Sequence, residues 1–360
     1  MAFEIISYRL HNQHLSQTDF KSPAEVVNWF GAVQSQDYLA AKWALGLRAH
    51  NLTDADMENA FTDGSILRTH ILRPTWHFVT PQDIRWMLAL TAPRVLAQLK
   101  YMDRQVELDG TIIPRTNKIL EKTLQGGKHL TRAELGSVLE QQGIQSNDLR
   151  LTHIVMHAEL DGVICSGRRQ GKQFTYALLE ERVPPAKPLD NEEALAELTR
   201  GYFSSHGPAT LKDFIWWSGL SAADAKRGLE MIQSDLSQKT VDGIPYWSSP
   251  ALPDRAATGA LFLPCYDEYT VGYTDRSAIF DNSHNNKLDA RGSFIAQYTI
   301  LWKGRIVGTW KRTLKTKSVE LEAHLFAPLK KSQTKAVIEA AERYASFLNL
   351  PFTLSFAETV

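Results

Sequence analysis

Gln34-Ser35-Gln36-Asp37 separates two apolar segments that both carry helical spacing. Upstream, Ser22 is a good N-cap, because its hydroxyl can accept a bond from a free N–H at a helix start. Pro23 takes the first helical position, where a missing N–H does no harm. Val26, Trp29, Phe30 and Val33 follow three and four apart and form one apolar face. Downstream the chain resumes as an apolar segment from Tyr38 to Leu47. On a continuous helix, residues two apart point to nearly opposite sides, so Gln34 and Gln36 can face one point only if the helix ends or bends near Ser35. A break is expected there. Two carboxamides and a carboxylate bring several N–H donors and acceptors to one junction. They can hold a water molecule in a fixed direction, or they can tie two helix ends together in a packed core. The four residues alone leave both readings open.

Outward from this stretch, residues 1–21 read as irregular. His11 and His14 lack further ligands nearby, which gives them a capping or core role rather than a metal site. Residues 22–79 read as helix, helix, helix, hairpin. The third helix starts near Thr53, with Asp54 and Asp56 where the helix dipole favours acids. Ile66–Leu72 and Thr75–Val79 are strand-like runs around Arg73-Pro74. Pro81–Lys100 is a further helix and Asp103–Pro114 a linker.

The order then recurs. Arg115–Gln125 is helical, Thr131 and Glu134 make a capping box, and Asn147–Leu160 is a third helix. Val163–Ser166 and Lys172–Leu179 flank a hairpin with a basic tip, Gly167-Arg168-Arg169-Gln170-Gly171. After a Pro-rich linker from Val183 to Pro188, a third round has Glu192–Ser205, Thr210–Trp217 and Ser221–Leu236. It ends in strand-like runs around Val241-Asp242-Gly243-Ile244. Three helices and a two-stranded wing in each unit spell tandem winged helices, a form of helix-turn-helix.

From about Ala256 the pattern changes. Leu261–Leu263, Phe294–Trp302, Arg305–Lys311 and Val319–Leu325 read as strands, with Lys303-Gly304 a two-residue hairpin turn. Ser332–Phe347 is an amphipathic helix and Phe352–Phe356 a last strand. The fold class expected is therefore α+β: three tandem winged-helix units followed by a small C-terminal β-barrel-like domain. The expected boundaries are 1–110, 111–186, 187–252 and 253–360.

At 360 residues the chain exceeds one typical core. Its 43% hydrophobic and 22% charged residues are those of a globular protein. No stretch approaches the run of about 18 apolar residues that a membrane span needs. The N-terminus lacks the residue order of a signal peptide, and two cysteines, Cys165 and Cys265, fit a reduced cytoplasm. The 40 basic residues balance 40 acidic ones, but they are segregated. Lys287, Arg291, Lys303, Arg305, Lys311, Arg312, Lys315 and Lys317 face one acid, Asp289, across their stretch, whereas Glu180 to Glu197 is acidic. A basic channel is compatible with that arrangement.

A DNA-reading helix should expose Arg, Asn, Gln or Lys along one face, and Asn147–Leu160 does not. Leu149, His153, Met156 and Leu160 form an apolar stripe, so this helix is expected to be buried. Ser221–Leu236 carries mixed charge. The basic tip of Arg168, Arg169 and Lys172 suits either phosphate contact, which positions DNA without reading it, or a solvated loop. His153 and His157 lack the Glu that a zinc protease places after its first His, so hydrogen-bonded burial is expected of them. Asp267 and Glu268, adjacent on an extended chain, point to opposite faces and need not cooperate; a structural or DNA-positioning loop is the reading. No nucleotide-binding glycine motif or C-x-x-C pair is present, and no cofactor or metal is expected.

Four blocks together resemble a known family. Val33-Gln34-Ser35-Gln36-Asp37 is one, and Leu72-Arg73-Pro74-Thr75-Trp76-His77 the second. The third is Leu263-Pro264-Cys265-Tyr266-Asp267-Glu268-Tyr269 with Gly272-Tyr273 and Asp275-Arg276. The fourth is Gly304-Arg305-Ile306-Val307-Gly308-Thr309-Trp310-Lys311. They are similar to bacterial winged-helix proteins that include AlkZ-like DNA glycosylases, over nearly the whole chain. The resemblance implies a concave scaffold that wraps double-stranded DNA and a monofunctional glycosylase that excises N-alkylated purines, including those in interstrand cross-links. The family's catalytic pattern of Gln, a small or apolar residue, then Gln or Asp maps onto Gln34 and Gln36, with Ser35 more polar than the usual middle residue. Asp37, Trp76 and His77 become auxiliary candidates. For Asp37 the alternative is an N-cap, and for Trp76 core packing. Arg73, Arg168, Arg169, Lys172, Lys311, Arg312 and Lys315 are the DNA-binding candidates. The partner expected is alkylated or cross-linked duplex DNA, bound by a monomer. A non-catalytic winged-helix regulator is the alternative, and a protein-interaction scaffold without salt-dependent DNA affinity is a third reading.

Overall fold

The computed structural model describes residues 2–17, 20–186, 188–250, 259–287 and 293–357. The chain opens with α1 (Ala2–Asn12), a helix where irregular structure was expected. Its Ile6 and Leu10 lie four apart and pack onto the turn at Gly304, where an added Cβ would sit 2.3 Å from Ile6. The segment carries no cap signal, so its helicity comes from this long-range contact.

The first unit runs through α2 (Pro23–Phe30), β1 (Val33–Gln34), α3 (Tyr38–Gly46), α4 (Asp54–Asp63), β2 (Leu67–Ile71) and β3 (Arg73–Val79). Ser22 caps α2 through Glu25 N–H, as its position implies. The helix then stops earlier than its apolar spacing suggests, at Gly31 with φ 74°, a conformation glycine adopts without steric cost. Val33 is therefore not on the helix. The break lies before Val33 rather than near Ser35, and Val33 and Gln34 after it are extended. Gln34 lies in β1 and Gln36 at a bend two residues on, so no bent helix is involved, and both side chains bond to β3.

Helix α5 (Ile84–Gln105) extends into the expected linker. The second unit contains α6 (Ile112–Leu124), β4 (Leu130–Thr131), α7 (Arg132–Gln141), α8 (Asp148–Leu160), β5 (Ile164–Ser166), β6 (Thr175–Leu178) and α9 (Leu179–Arg182). The third contains α10 (Asn191–His206), α11 (Leu211–Ser218), α12 (Ala222–Ile232), β7 (Ser237–Val241) and β8 (Ile244–Ser248). The sheet orders are β1-β3-β2 and β4-β6-β5. The third unit repeats this with one bridge, Ala209 to Trp247 of β8, which in turn pairs with β7. Each unit is thus helix, short strand, helix, helix, hairpin, with its last strand in the middle of the sheet. One difference stands out. Thr131 and Thr210 cap the second helix at, or directly after, the paired residue. In the first unit Ser35 and Gln36 intervene between the paired Gln34 and the cap Asp37.

The C-terminal part comprises β9 (Ala260–Leu263), α13 (Glu268–Val271), β10 (Thr299–Trp302), β11 (Arg305–Leu314), β12 (Val319–Leu325), α14 (Lys331–Leu348) and β13 (Phe352–Ala357). Lys303 and Gly304 have φ of 48° and 79°, the paired positive values of a tight hairpin turn. The strand expected from Phe294 begins only at Thr299, because Phe294–Ala296 turn as a short 3-10 helix. The sheet order is β13-β12-β11-β10-β9, with β12 and β13 parallel across α14. Among the described residues β9 and β13 do not pair with each other, so the sheet is open and not a barrel. The molecule is a mixed α+β protein. Among the described residues no helix is long and apolar enough to cross a membrane. The expected boundary at 252/253 lies outside the described residues.

Among the described residues three large apolar cores hold these parts, and a small fourth cluster joins Ile5 of α1 to Val241 and Tyr246. One joins Phe30, Trp43 and Phe78 of the first unit to Phe262, Trp310, Tyr344 and Phe347 of the C-terminal part. A second joins α5 to the third unit through Met87, Val95, Tyr202 and Trp217. A third, with Leu120, Leu135 and Ile154, belongs to the second unit. Leu149 departs from the expected buried stripe and is 49% exposed. Burial of that stripe begins a turn later, where His153 meets Asp103.

Candidate active site

In β1, Gln34 pairs with His77 of β3, and Ser35 N–H continues the ladder by donating to Trp76 O. Alternation along β3 puts Arg73, Thr75 and His77 on the face of Gln34. Arg73 Nη2 donates to Gln34 Oε1 at 3.1 Å, and Trp76 N–H donates to Gln36 Oε1 at 3.4 Å. These donors fix which end of each carboxamide is oxygen. Each oxygen keeps a lone pair, and among the described residues neither Nε2 has a protein partner. Gln34 is 9% exposed, whereas Gln36 is open to solvent.

Behind β1 lies a buried carboxylate. Glu268, 1% exposed, accepts Gln34 N–H at 2.8 Å, Trp217 Nε1–H at 2.9 Å and His206 Nε2 at 3.2 Å. Burial pushes its carboxyl up, but the His206 hydrogen bond and the Gln34 amide outweigh that and hold it below the usual value. Burial lowers His206, which therefore serves as a neutral donor to Glu268. The neighbouring Asp267 makes a bidentate pair with Arg48, 2.8 Å on each side, and both side chains are buried. The extended chain expected for this pair is not found, because Asp267 caps α13 and Glu268 opens it, yet the two carboxylates have separate partners: Asp267 pairs with Arg48, and Glu268 anchors the strand that carries Gln34. His77 is fully buried, and burial together with Arg73 lowers it to about 3, so it is neutral.

Among the described residues several buried polar atoms around Gln34 have no protein partner: Thr69 Oγ1, Thr75 Oγ1, His77 Nε2, Arg73 Nε and Arg276 Nη2. Thr69, His77 and Gln34 are cross-strand neighbours on one face. Buried polar groups are normally satisfied by protein or by ordered water. A cluster of them beside two carboxamides has the character of a solvent-holding site. Cations flank it. Arg68 donates to Ser35 O and Gln36 O, and Arg73 and Arg276 flank the Trp216 ring.

The remaining candidates are placed as follows. Asp37 caps α3 through Ala40 N–H at 3.0 Å, which is the capping alternative. Trp76 projects to the face opposite His77, under the Arg68 guanidinium and against His70. Arg168 and Lys172 are exposed. Arg169 is held by Glu58, with both contacts at 3.3 Å, and covers the Tyr38 and Phe174 rings. Lys311 is exposed, Lys315 pairs with Glu320, and Arg312 is held by the Tyr298 and Tyr344 hydroxyls. Tyr298, Lys311 and Arg312 line a groove of about 770 Å³ on the C-terminal sheet. Asp289 and Arg291 lie outside the described residues. His153 and His157 grip Asp103 from one helix, at 2.8 and 3.1 Å. Among the described residues no cluster has the composition of a metal site.

Sequence reasoning did not reach Glu268 as the partner of β1, nor His206 and Trp217 as partners of Glu268, nor Trp216 beside Arg73. The signal available was Asp267-Glu268 inside a recognisable block, but its partners lie more than fifty residues away.

The model of the family described as DNA glycosylase AlkZ-like matches residues 27–347. A relative named interstrand DNA cross-link repair glycosylase, from Streptomyces sahachiroi, is 21% identical over 339 residues, covering 86% of this chain and 87% of its own. The solved structure of Streptomyces sahachiroi DNA glycosylase AlkZ superposes with a TM-score of 0.80 and 21% identity, covering 98% of each chain.

Proposed function

The chain belongs to the AlkZ-like DNA glycosylase family, and on that premise we propose that it hydrolyses the N-glycosidic bond of N-alkylated purines in duplex DNA with a water positioned by Gln34 and Gln36. The observation that carries this reading is that both carboxamides are tied to β3, Gln34 through Arg73 and Gln36 through the Trp76 amide.

The chemistry suits the residues. N7-alkylation makes the purine cationic and a good leaving group. The N-glycosidic bond breaks with its electron pair going to the purine, which leaves neutral. Water oxygen bonds to C1′ and its proton passes to solvent. Little acid catalysis is needed, so the protein's tasks are to aim the water and to favour positive charge on the sugar. A carboxamide is no base at neutral pH, but its oxygen can orient a water. The Glu268 charge, one backbone amide behind Gln34, favours cationic character in a poorly solvated setting.

We infer further that the three repeated units, 1–110, 111–186 and 187–252, are winged helices used as a scaffold, followed by a sheet unit from 253 to 360. Their common strand order supports this. The alternative of a sequence-reading regulator needs a helix free to enter the major groove. Helix α8 is buried or half-buried from Arg150 to Leu160 and does not offer one. The groove on the C-terminal sheet adjoins Asp37, whose charge reaches Tyr298 and Arg312. Its volume of about 770 Å³ favours bulky adducts, cross-links included. Two free, buried thiols fit a cytoplasmic protein.

The test is release of base from a duplex carrying one N7-methylguanine. The wild type is expected to release it, and Gln34→Ala with Gln36→Ala to slow release by on the order of 10²-fold or more. No release by the wild type, or undiminished release by the double variant, would overturn the reading.

A further inference from the structure

We propose that Trp216 is a stacking platform for an unpaired, neutral nucleobase beside the lesion. This deepens the glycosylase reading and rests on it. Helix α11 carries two adjacent tryptophans with opposite fates. Trp217 is fully buried and donates to Glu268, whereas Trp216 is 46% exposed, the one tryptophan counted as exposed among the described residues. An exposed indole costs hydration free energy, and this one is also fixed in place. Its Nε1–H donates to Val271 O at 2.9 Å, so the ring is held at one edge by the loop that carries Glu268.

The ring's surroundings specify its ligand. The guanidinium carbons of Arg73 and Arg276 each lie 5.8 Å from its centroid. Arg73 also donates to Trp216 O at 3.4 Å and, through its other nitrogen, to Gln34 Oε1 at 3.1 Å. One side chain therefore spans the exposed ring and the carboxamide that aims the water. Arg276 is held by Thr270 O and Thr274 O, and its Nη2 has no partner among the described residues. An aromatic face flanked by two cations matches a base with phosphates on either side of it, the combination used by single-strand binding sites. The same two cations disfavour a third positive charge, which excludes the alkylated purine itself. The occupant is a neutral base that loses its stacking or pairing partner when the lesion is engaged: the base opposite the lesion or its neighbour.

Base–aromatic stacking of this kind changes affinity by about 5- to 150-fold. Trp216→Ala and Trp216→Leu are expected to weaken binding of an N7-methylguanine duplex within that range. Trp216→Phe and Trp216→Tyr should keep most of the affinity, because they keep a π face. With 2-aminopurine placed opposite or next to the lesion, the wild type should quench its fluorescence and Trp216→Leu should not, at matched melting temperatures. Equal affinity and quenching for wild type and Trp216→Leu would overturn the proposal. So would a Trp216→Phe variant as impaired as Trp216→Leu, because that would assign the effect to the Val271 hydrogen bond. If the wild type releases no base, the glycosylase reading fails. The quenching comparison, repeated on a duplex with an abasic analogue, then still decides for or against Trp216.

Discussion

Glu268 shows how much one buried side chain organises here. It draws together β1, α10 and α11 through Gln34 N–H, His206 and Trp217. Truncating one member of a buried, hydrogen-bonded charge group costs about 3–5 kcal/mol, so Glu268→Ala should lower unfolding stability by that order in a denaturant titration. Glu268→Gln should retain more of the fold while slowing base release. His77 makes the site acid-sensitive. Its folded value of about 3 lies below the ordinary 6.5, so between those limits the unfolded chain binds a proton that the folded one does not. Stability is therefore independent of this group above about pH 6.5 and falls as pH drops from there toward 3. The slope from one such site is at most about 1.4 kcal/mol per pH unit. Glu268 adds to this at lower pH: its depressed carboxyl contributes stability above its ordinary value, and that contribution is lost as pH falls through the folded one. His77→Gln should flatten the stability profile between about pH 6.5 and 3, and an unchanged slope would reject this role for His77.

At the level of elements, the site depends on the wing of the first unit and α11 meeting at short range. Gly219, which ends α11 with φ 69°, lies so close that an added Cβ would sit 2.4 Å from Leu72 O. Gly219→Ala should push α11 off the wing, cost more than the roughly 1 kcal/mol of the conformational effect alone, and loosen Arg73 from Trp216 O. Reduced base release alongside a lowered melting temperature would show it. Helix starts and tight turns were legible in the sequence because their signals are local: the Thr131–Glu134 box, the Thr53 start and the Lys303-Gly304 turn stand as expected. The strand that carries Gln34 was not. The apolar spacing of Val26, Trp29, Phe30 and Val33 carried the helix too far, because Val33 owes its burial to a strand pairing with Phe78, forty-five residues on. Helix α1 was missed for the same reason, its apolar positions being satisfied only by the distant turn at Gly304. The barrel was overread because strand-like runs show how many strands exist and not whether the first pairs with the last.

Across the whole molecule, the first unit and the C-terminal part share one core, while α6 and α7 of the second unit pack in another. Amides of α3 and α14 should therefore exchange with deuterium through one joint opening, and those of α6 and α7 through a separate one. Independent exchange in α3 and α14 would argue against the shared core as a cooperative unit. The shared core has a functional consequence. It holds the Glu268 loop against the first unit, through the Arg48–Asp267 pair, so that residues far apart in the chain set the position of two carboxamides. The central claim is that those carboxamides act on the water rather than on DNA binding. It is tested most directly by single-turnover base release from a saturated N7-methylguanine duplex, comparing the wild type with Gln34→Ala, Gln36→Ala and the double variant at measured, equal DNA occupancy. The expected result is a rate lower by on the order of 10²-fold or more in the double variant with affinity retained. A rate equal to that of the wild type at full occupancy would contradict the account.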